Sequence, residues 1–515
     1  MLAIQAINGA TSRFAFAADA GRTTSGSSYP SPGQEHFYKM TVEPGTGNIY
    51  LIGRRLTVPS EDSNTPGGAS ANHSTQRATL VKLDRMGDIL WIRELTKDGM
   101  KNDPVSGQTW SRLDNFNDVC INPLTGDVYV VGATTSMEAD HYDWGGTRAN
   151  DCLVAKYNSS GTLQWQKFYG RDYNEWGGGT YYYSEDRFDS CCALYDGRFA
   201  AIGSTYNNTG GGYIYASVML TVWNSDGTVS WSKWMEIDGH QEATSQIGTG
   251  TYVSSLSRAV TADGSNNVYA LVYKGLSVHM IKFNSSGTVQ WRKFFNDNNQ
   301  RSATAVHATK SGDVYVAVGG NPSQGGSGML KFNTNGVLQW TRRLPSIGYG
   351  EHAFLDEHEN YWLNSNTTAD YVCVNSSGNV VRSLKVATNR GSGNAAMSNF
   401  NCRGFAVNEG YLTAMFSGAV LGRNYSNSQE YNIGVCQLEV GGVNNGSFTH
   451  TNSDNTTTTV TYSTPSHSTS SNSISVTNSN ISVINYPGSQ NLRFSNGSCS
   501  NLTNSSLFHN RTLTI

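Results

Sequence analysis

Between Phe168 and Phe188 the chain reads FYGRDYNEWGGGTYYYSEDRF. Tyr169, Tyr173, Trp176, Tyr181, Tyr182 and Tyr183 supply aromatic faces for stacking on sugar rings or on a protein partner. Arg171 adds a polar contact beside them. Tyr and Trp suit this work because each gives a rigid contact area with one polar handle. The competing use of the same side chains is self-packing over the fold beneath them. Two further stretches are rich in titratable groups: Glu351-His352 with Asp356-Glu357-His358-Glu359, and Glu138, Asp140, His141 and Asp143. Imidazoles and carboxylates hold cations, but neither stretch has the spacing of a recognised ligand set, and no metal is expected. The eight cysteines also lack the short regular spacing of a zinc site. They read as buried free thiols, with Cys191 and Cys192 on opposite faces of one strand. There is no G-x-S-x-G elbow, no H-E-x-x-H and no phosphate-binding glycine loop. The sequence therefore assigns no catalytic residue and no cofactor, and the chain reads as non-enzymatic.

The elements that must position these residues repeat along the chain. Met280–Phe295 reads MIKFNSSGTVQWRKFF: apolar residues alternate inward, Asn284-Ser285-Ser286-Gly287 turns the chain, and alternation resumes outward. That is the signature of a tight hairpin. Versions of it end at Trp91, Trp165, Trp231, Trp291 and Trp340. Each is preceded by a strand, a turn and a second strand, often with Gly-Asp/Asn-Val/Ile-Tyr, as in Gly126-Asp127-Val128-Tyr129 and Gly312-Asp313-Val314-Tyr315. A sixth copy has Arg382 in the place of Trp, and a seventh keeps Gly410-Tyr411-Leu412 but loses the hairpin. Four-stranded repeats of this length specify an all-β, seven-bladed propeller of antiparallel blades over 36–442. The five Trp are expected to pack between neighbouring blades on the outer strands. Closing the ring needs one more strand. The candidates are Leu2–Ile7 or Ser12–Phe16 within an N-terminal segment 1–35, or Ser447–Thr451. The N-terminal source is preferred.

Composition narrows the function classes. With 515 residues, 11% aromatic and 15% charged, the chain is too aromatic for disorder. Its net charge of −3 offers no basic field for nucleic acid, and no apolar run is long enough for a membrane span. The start, MLAIQAINGATSRFAFAADA, has no basic opening and no continuous apolar core, so no signal peptide is read. Residues 443–515 contain neither Lys nor Glu. They alternate apolar and polar residues, as in Thr459-Val460-Thr461-Tyr462, and so read as a short β-rich Asn/Ser/Thr extension ordered against the propeller or another subunit. A composition suited to work outside cells, joined to synthesis without export, fits a virion component.

Two resemblances add to this reading. The hairpin pattern hydrophobic-Asn-x-x-Gly-x-x-x-Trp is similar to the Trp motif of quinoprotein-type propellers. That resemblance would imply an exported, usually eight-bladed enzyme with a calcium-bound quinone, and Cys191-Cys192 would correspond to its vicinal disulfide. The KFNSSGTVQW repeats in an Asn/Ser/Thr-rich chain resemble propeller proteins of tailed bacteriophages. This second likeness implies a tail or virion part (nozzle, adaptor or fibre-associated). Its partners would be other tail proteins, copies of itself and a host glycan or receptor. A carbohydrate-binding propeller using the 168–188 stretch is the alternative.

Overall fold

The computed structural model describes 12–18, 35–57, 75–95, 114–134, 151–171, 183–208, 213–236, 257–296 without 275–276, 302–344 without 321–325, 347, 350, 352–390 without 366–369, 401–418 and 432–440, with the short stretches 101–102, 109–110, 242–243, 445–451, 457–463, 475–478, 482–485, 492–493 and 499–501. No helix occurs among the described residues. Seven four-stranded antiparallel sheets form the blades of a β-propeller.

From the innermost strand outward, blade one is Glu35–Val42, Ile49–Thr57, Thr75–Leu83 and Ile89–Leu95. Blade two is Asp114–Ile121, Val128–Thr134, Asp151–Tyr157 and Leu163–Arg171; blade three is Tyr183–Ala193, Phe199–Asn208, Tyr213–Trp223 and Val229–Glu236. Blade four is Ser257–Ala262, Val268–Lys274, Ser277–Phe283 and Val289–Asn296; blade five is Ser302–Ala308, Val314–Gly319, Ser327–Phe332 and Leu338–Leu344. Blade six is Ala353–Leu355, Tyr361–Asn364, Asp370–Val374 and Val380–Arg390. Blade seven takes Asn401–Asn408, Tyr411–Gly418 and Asn432–Glu439 from one end of the propeller sequence. Its fourth strand, Ser12–Ala18, comes from the other end. That strand pairs antiparallel with Asn432–Glu439, from Ser12 opposite Leu438 to Ala18 opposite Ile433. Of the other closing candidates, Asn445–Thr451 instead pairs with Thr457–Ser463 on the rim of blade six, and 2–7 lie outside the described residues.

Local chemistry explains the turns. In blade four, Asn284 Oδ1 accepts the amides of Ser286 at 3.1 Å and Thr288 at 2.8 Å, and the Gly287 amide closes onto Asn284 O at 2.9 Å. The same Asn-centred turn recurs at Asn158, Asn333 and Asn375.

Packing closes the ring. Seven apolar layers sit between successive blades, and the last joins Phe37, Met40 and Ile92 of blade one to Ala406, Met415 and Val435 of blade seven. Such layers are what a repeat needs, since a single blade cannot bury both of its faces. All five of these Trp side chains reach the next blade. The indole of Trp91 donates to Ser159 O at 3.4 Å, Trp165 to Ser225 O at 2.9 Å and Trp231 to Ser285 O at 3.2 Å. Trp291 donates to Thr334 O at 3.0 Å and Trp340 to Ser376 O at 2.9 Å. Each acceptor lies in the outer turn of the next blade, so one side chain supplies both apolar cover and a directional link.

Beyond 442 the described strands add to the rims. Thr457–Ser463 pairs with blade six, Ser475–Asn478 with blade four, Ser482–Asn485 with blade three, Leu492–Arg493 with blade two and Cys499–Asn501 with blade one. The strap thus runs around the ring against the order of the blades.

Candidate functional site

The inner strands of all seven blades enclose a channel of about 400 Å³. The inner strands of blades one to five and seven each carry an extra residue that breaks the register: Tyr38, Asn117, Asp189, Arg258, Thr304 and Arg403. Bulges of this kind bend a strand and re-aim its side chains. The residue after the bulge is Lys39 in blade one, Asp118 in blade two and Ser190 in blade three. In blades four, five and seven it is Ala259, Ala305 and Gly404. At the bulges the wall is therefore polar on the arc of blades one to three and small on that of blades four, five and seven.

The polar arc is tied together by Asp118, which is 3% exposed. Its Oδ2 holds Lys39 Nζ at 2.8 Å and accepts the Cys191 amide at 2.9 Å. One carboxylate thus connects the inner strands of three blades. Beside it, Asn117 Nδ2 donates to Phe188 O at 2.8 Å. A buried carboxylate needs this much compensation to stay in the fold.

Three thiols line the wall next to it: Cys120, Cys191 and Cys192. Burial pushes all three upward in pKa, and Cys191 Sγ donates to Tyr129 O at 4.0 Å. Thiols held protonated are weak nucleophiles. Cys191 packs in the layer between blades two and three and Cys192 against the layer between three and four, on opposite faces of one strand. Both are free, so they form no vicinal disulfide.

Two histidines face the channel from blades five and six. His307 Nδ1 lies 3.4 Å from the Tyr361 hydroxyl. Burial lowers the His307 pKa to about 4, with the Lys39 charge adding to the effect. His352 is lowered to about 4 in the same way, by burial and then by the charges of Lys39 and Arg403. Its Nε2 is buried without a hydrogen-bond partner. Both imidazoles are neutral at pH 7. Among the described residues no group of three His, Cys, Asp or Glu side chains could hold a metal ion.

The other sequence candidates separate. Asp356 is a turn former: its Oδ1 accepts the amides of His358 at 3.0 Å and Asn360 at 2.8 Å, and its Oδ2 accepts the Trp362 indole at 3.0 Å. His358 is exposed, so the His352 and His358 side chains do different things despite their proximity in sequence. Tyr169 and Arg171 lie at the end of blade two's outer strand, with Arg171 opposite Leu492 of the strap. Tyr183 opens blade three's inner strand opposite Asn208. The 168–188 stretch therefore connects a rim to the channel side of the next blade. Tyr173, Trp176, Tyr181 and Tyr182 lie outside the described residues, as do Glu138, Asp140, His141 and Asp143.

Sequence reasoning missed the channel arc, because Lys39, Asp118 and Cys191 are remote in sequence and carry no local motif. A recurrent Lys of the third strand was readable, but it marks a different contact. Lys82, Lys156, Lys282 and Lys331 each lie over the second-strand Tyr of the same blade, at 5.0 to 5.6 Å from the ring centre. They also pair with Glu43, Asp127, Asp263 and Asp313.

No protein-family profile matches this chain, and no curated protein matches it. Among solved structures it is similar to hydrazine synthase of Kuenenia stuttgartiensis, at 10% identity over 82% of this chain and 99% of that one, with a TM-score of 0.42. It is also similar to virginiamycin B lyase from Staphylococcus aureus, at 11% identity over 82% and 98% of the chains and a TM-score of 0.39. The NanB sialidase from Streptococcus pneumoniae aligns at 12% identity over 79% and 68%, with a TM-score of 0.39. Some of these neighbours are enzymes, and at such identities the likeness carries nothing about what this chain does.

Proposed function

We propose that this chain is a non-enzymatic structural component of a bacteriophage virion, a part of the tail that works as a rigid ring-shaped block. The observation that supports it is the pairing of Ser12–Ala18 and of strands after 442 into the ring. Ser12–Ala18 completes blade seven, and strands from 445–501 cover the rims of five blades. A propeller built to act through a mobile loop gains little from this bracing. A part that transmits load or holds register in an assembly gains rigidity and protected edges. The Lys39–Asp118–Cys191 contact serves the same end, since it joins three inner strands. Partners on this reading are other tail proteins and further copies of the chain. Mass spectrometry of purified particles is the test: the protein is expected at a fixed copy number per particle, and its absence from intact particles would sink the proposal.

A second reading, contact with a host glycan or receptor, draws on the layout of the connections. Strands alternate in direction, so the connections at 58–74, 135–150, 172–182, 209–212 and 419–431 all leave from one end of the blades, while the Asn-x-x-Gly turns crowd the other end. The aromatic stretch belongs to the first group. On this reading a glycan array gives a signal that Trp176→Ala removes, and a signal indifferent to that change would discard the aromatic stretch as the binding element.

A further inference from the structure

The residues that follow the bulges set one level of the channel. Lys39, Asp118 and Ser190 stand on one arc of it, Ala259 and Ala305 on the other. Blades four and five lie opposite blade one in a ring of seven, so the two alanines are across the axis from Lys39. Such small side chains do not reach the axis, and a channel of about 400 Å³ runs past them. Cavities of that size take a small organic molecule.

Two groups on the channel wall suit an anion. The Lys39 side chain is 38% exposed, whereas that of Asp118, its partner at 2.8 Å, is 4% exposed. An ammonium has three donors, and one carboxylate contact leaves the others for the channel. His307 lies two residues beyond Ala305, hence on the same side of the strand and about 7 Å deeper. It lines the channel, and its Nδ1 is turned to the Tyr361 hydroxyl at 3.4 Å. With that hydroxyl donating to Nδ1, the neutral ring carries its proton on Nε2 and donates from there. The ring is neutral at pH 7 because burial, and then the Lys39 charge, lowers its pKa to about 4. The Lys39 charge reaches His352 too, where that of Arg403 adds to it. This level of the channel is thus electropositive despite Asp118.

The deeper wall is apolar. Val42, Ile121 and Ala262 each lie three residues beyond the bulge level, line the channel and keep 6–9% of their surface exposed. A ligand with one charged end and one apolar end matches both zones, since burying the apolar end adds to the ion pair.

We propose that the channel is a binding site for a small organic monocarboxylate, its carboxylate held between Lys39 Nζ and His307 Nε2 and its apolar body lying along Val42, Ile121 and Ala262. A single negative charge suits the site. A dianion such as phosphate meets stronger repulsion from the Asp118 carboxylate and has no apolar body to bury. The site lies within one copy of the chain, so it stands apart from the assembly role proposed above.

Isothermal titration calorimetry of the purified full-length protein at pH 7 tests this with hexanoate, hexanol and inorganic phosphate. Hexanoate is expected to bind saturably at one site per chain, and the other two about tenfold or more weakly. Asp118→Asn removes the competing carboxylate, while the new amide oxygen still accepts the Cys191 amide. Hexanoate is expected to bind that variant severalfold more tightly, a gain that a purely structural role for the Lys39–Asp118 pair would not produce. Lys39→Met combined with Asp118→Asn removes the ammonium without stranding a buried charge, and a loss of about tenfold or more is expected. Absence of a saturable hexanoate signal would overturn the proposal. So would equal binding of hexanol, which needs no cation, or of phosphate, which needs no apolar wall. Unchanged hexanoate affinity in both variants would overturn Lys39 as the anchor. The three probes are compared on the unaltered protein, so the comparison decides even where a substitution impairs folding. It uses no particles, and its outcome is separate from whether particles contain the protein.

Discussion

Five joints of the ring are made with tryptophan and one with arginine, and the difference is explained by which segment supplies the fourth strand of blade seven. Trp91, Trp165, Trp231, Trp291 and Trp340 each donate to a carbonyl in the outer turn of the next blade. At the joint between blades six and seven that turn does not exist. Blade seven's third strand is Asn432–Glu439, and its fourth arrives from the opposite end of the chain. An indole there would have no turn to cover. Arg382 takes the position and reaches Val440 O at 2.8 Å, one residue past the end of the third strand. At the seventh joint the described residues form the apolar layer between blade seven and blade one. A repeat that looks degenerate in sequence is thus adapted to the seam.

The largest break in this comparison is removal of 1–18. It takes the fourth strand from blade seven and exposes both a sheet edge and the apolar layer at the seam. Circular dichroism and gel filtration are expected to show loss of the cooperative fold. Next is Trp91→Ala at the first joint. Trp91 is 8% exposed, packs edge-on to Tyr50 at 5.8 Å and carries the Arg93 guanidinium over its ring. Truncating a buried aromatic of this size costs about 3–5 kcal/mol, measured as a lower midpoint in denaturant unfolding.

Acidification separates the joints from the channel wall. The indole-to-carbonyl links do not titrate, whereas His307 and His352 have folded pKa values of about 4 against an ordinary 6.5. Between those values the unfolded chain binds protons that the folded chain does not. The contribution of the neutral imidazoles is therefore complete above about pH 6.5 and is lost as pH falls towards 4. Discounted for partial exposure, the two together amount to about 2–3 kcal/mol. Thermal unfolding from pH 7 to pH 4 is expected to show a falling midpoint, and His307→Gln with His352→Gln is expected to flatten the fall.

How much of this was legible in the sequence follows from the range of each interaction. The turn at Asn284–Gly287 is closed by hydrogen bonds within five residues, so its pattern was readable, and its repetition gave the blades and the five Trp. The Lys39–Asp118–Cys191 contact spans three blades, and nothing local to any of its members marks it. The strap shows an intermediate case. Its alternation announced strands, but pairing through backbone groups leaves no side-chain signature of which blade each strand meets. The loss of Trp at repeat six was readable as a change and not as a cause, because the cause is the distant Ser12–Ala18 strand.

The turns that receive the indoles offer a finer test. Gly287 has φ of +81°, and a Cβ there would lie 2.8 Å from the Trp231 ring. Gly287→Ala meets both a left-handed backbone and a close indole, so about 1–3 kcal/mol is expected, read as a drop in melting temperature. The smallest effect is expected at the seam. Arg382 is exposed and its joint rests on one hydrogen bond to a carbonyl, which sets the loss for Arg382→Ala at about 0.5–1.5 kcal/mol. Arg382→Trp sharpens the comparison further. If the missing turn is the reason for arginine here, the added indole has no turn to cover and recovers no stability over the alanine variant. A gain comparable to the loss at Trp91 would show instead that any carbonyl on the next blade suffices, and that the seam was not the constraint.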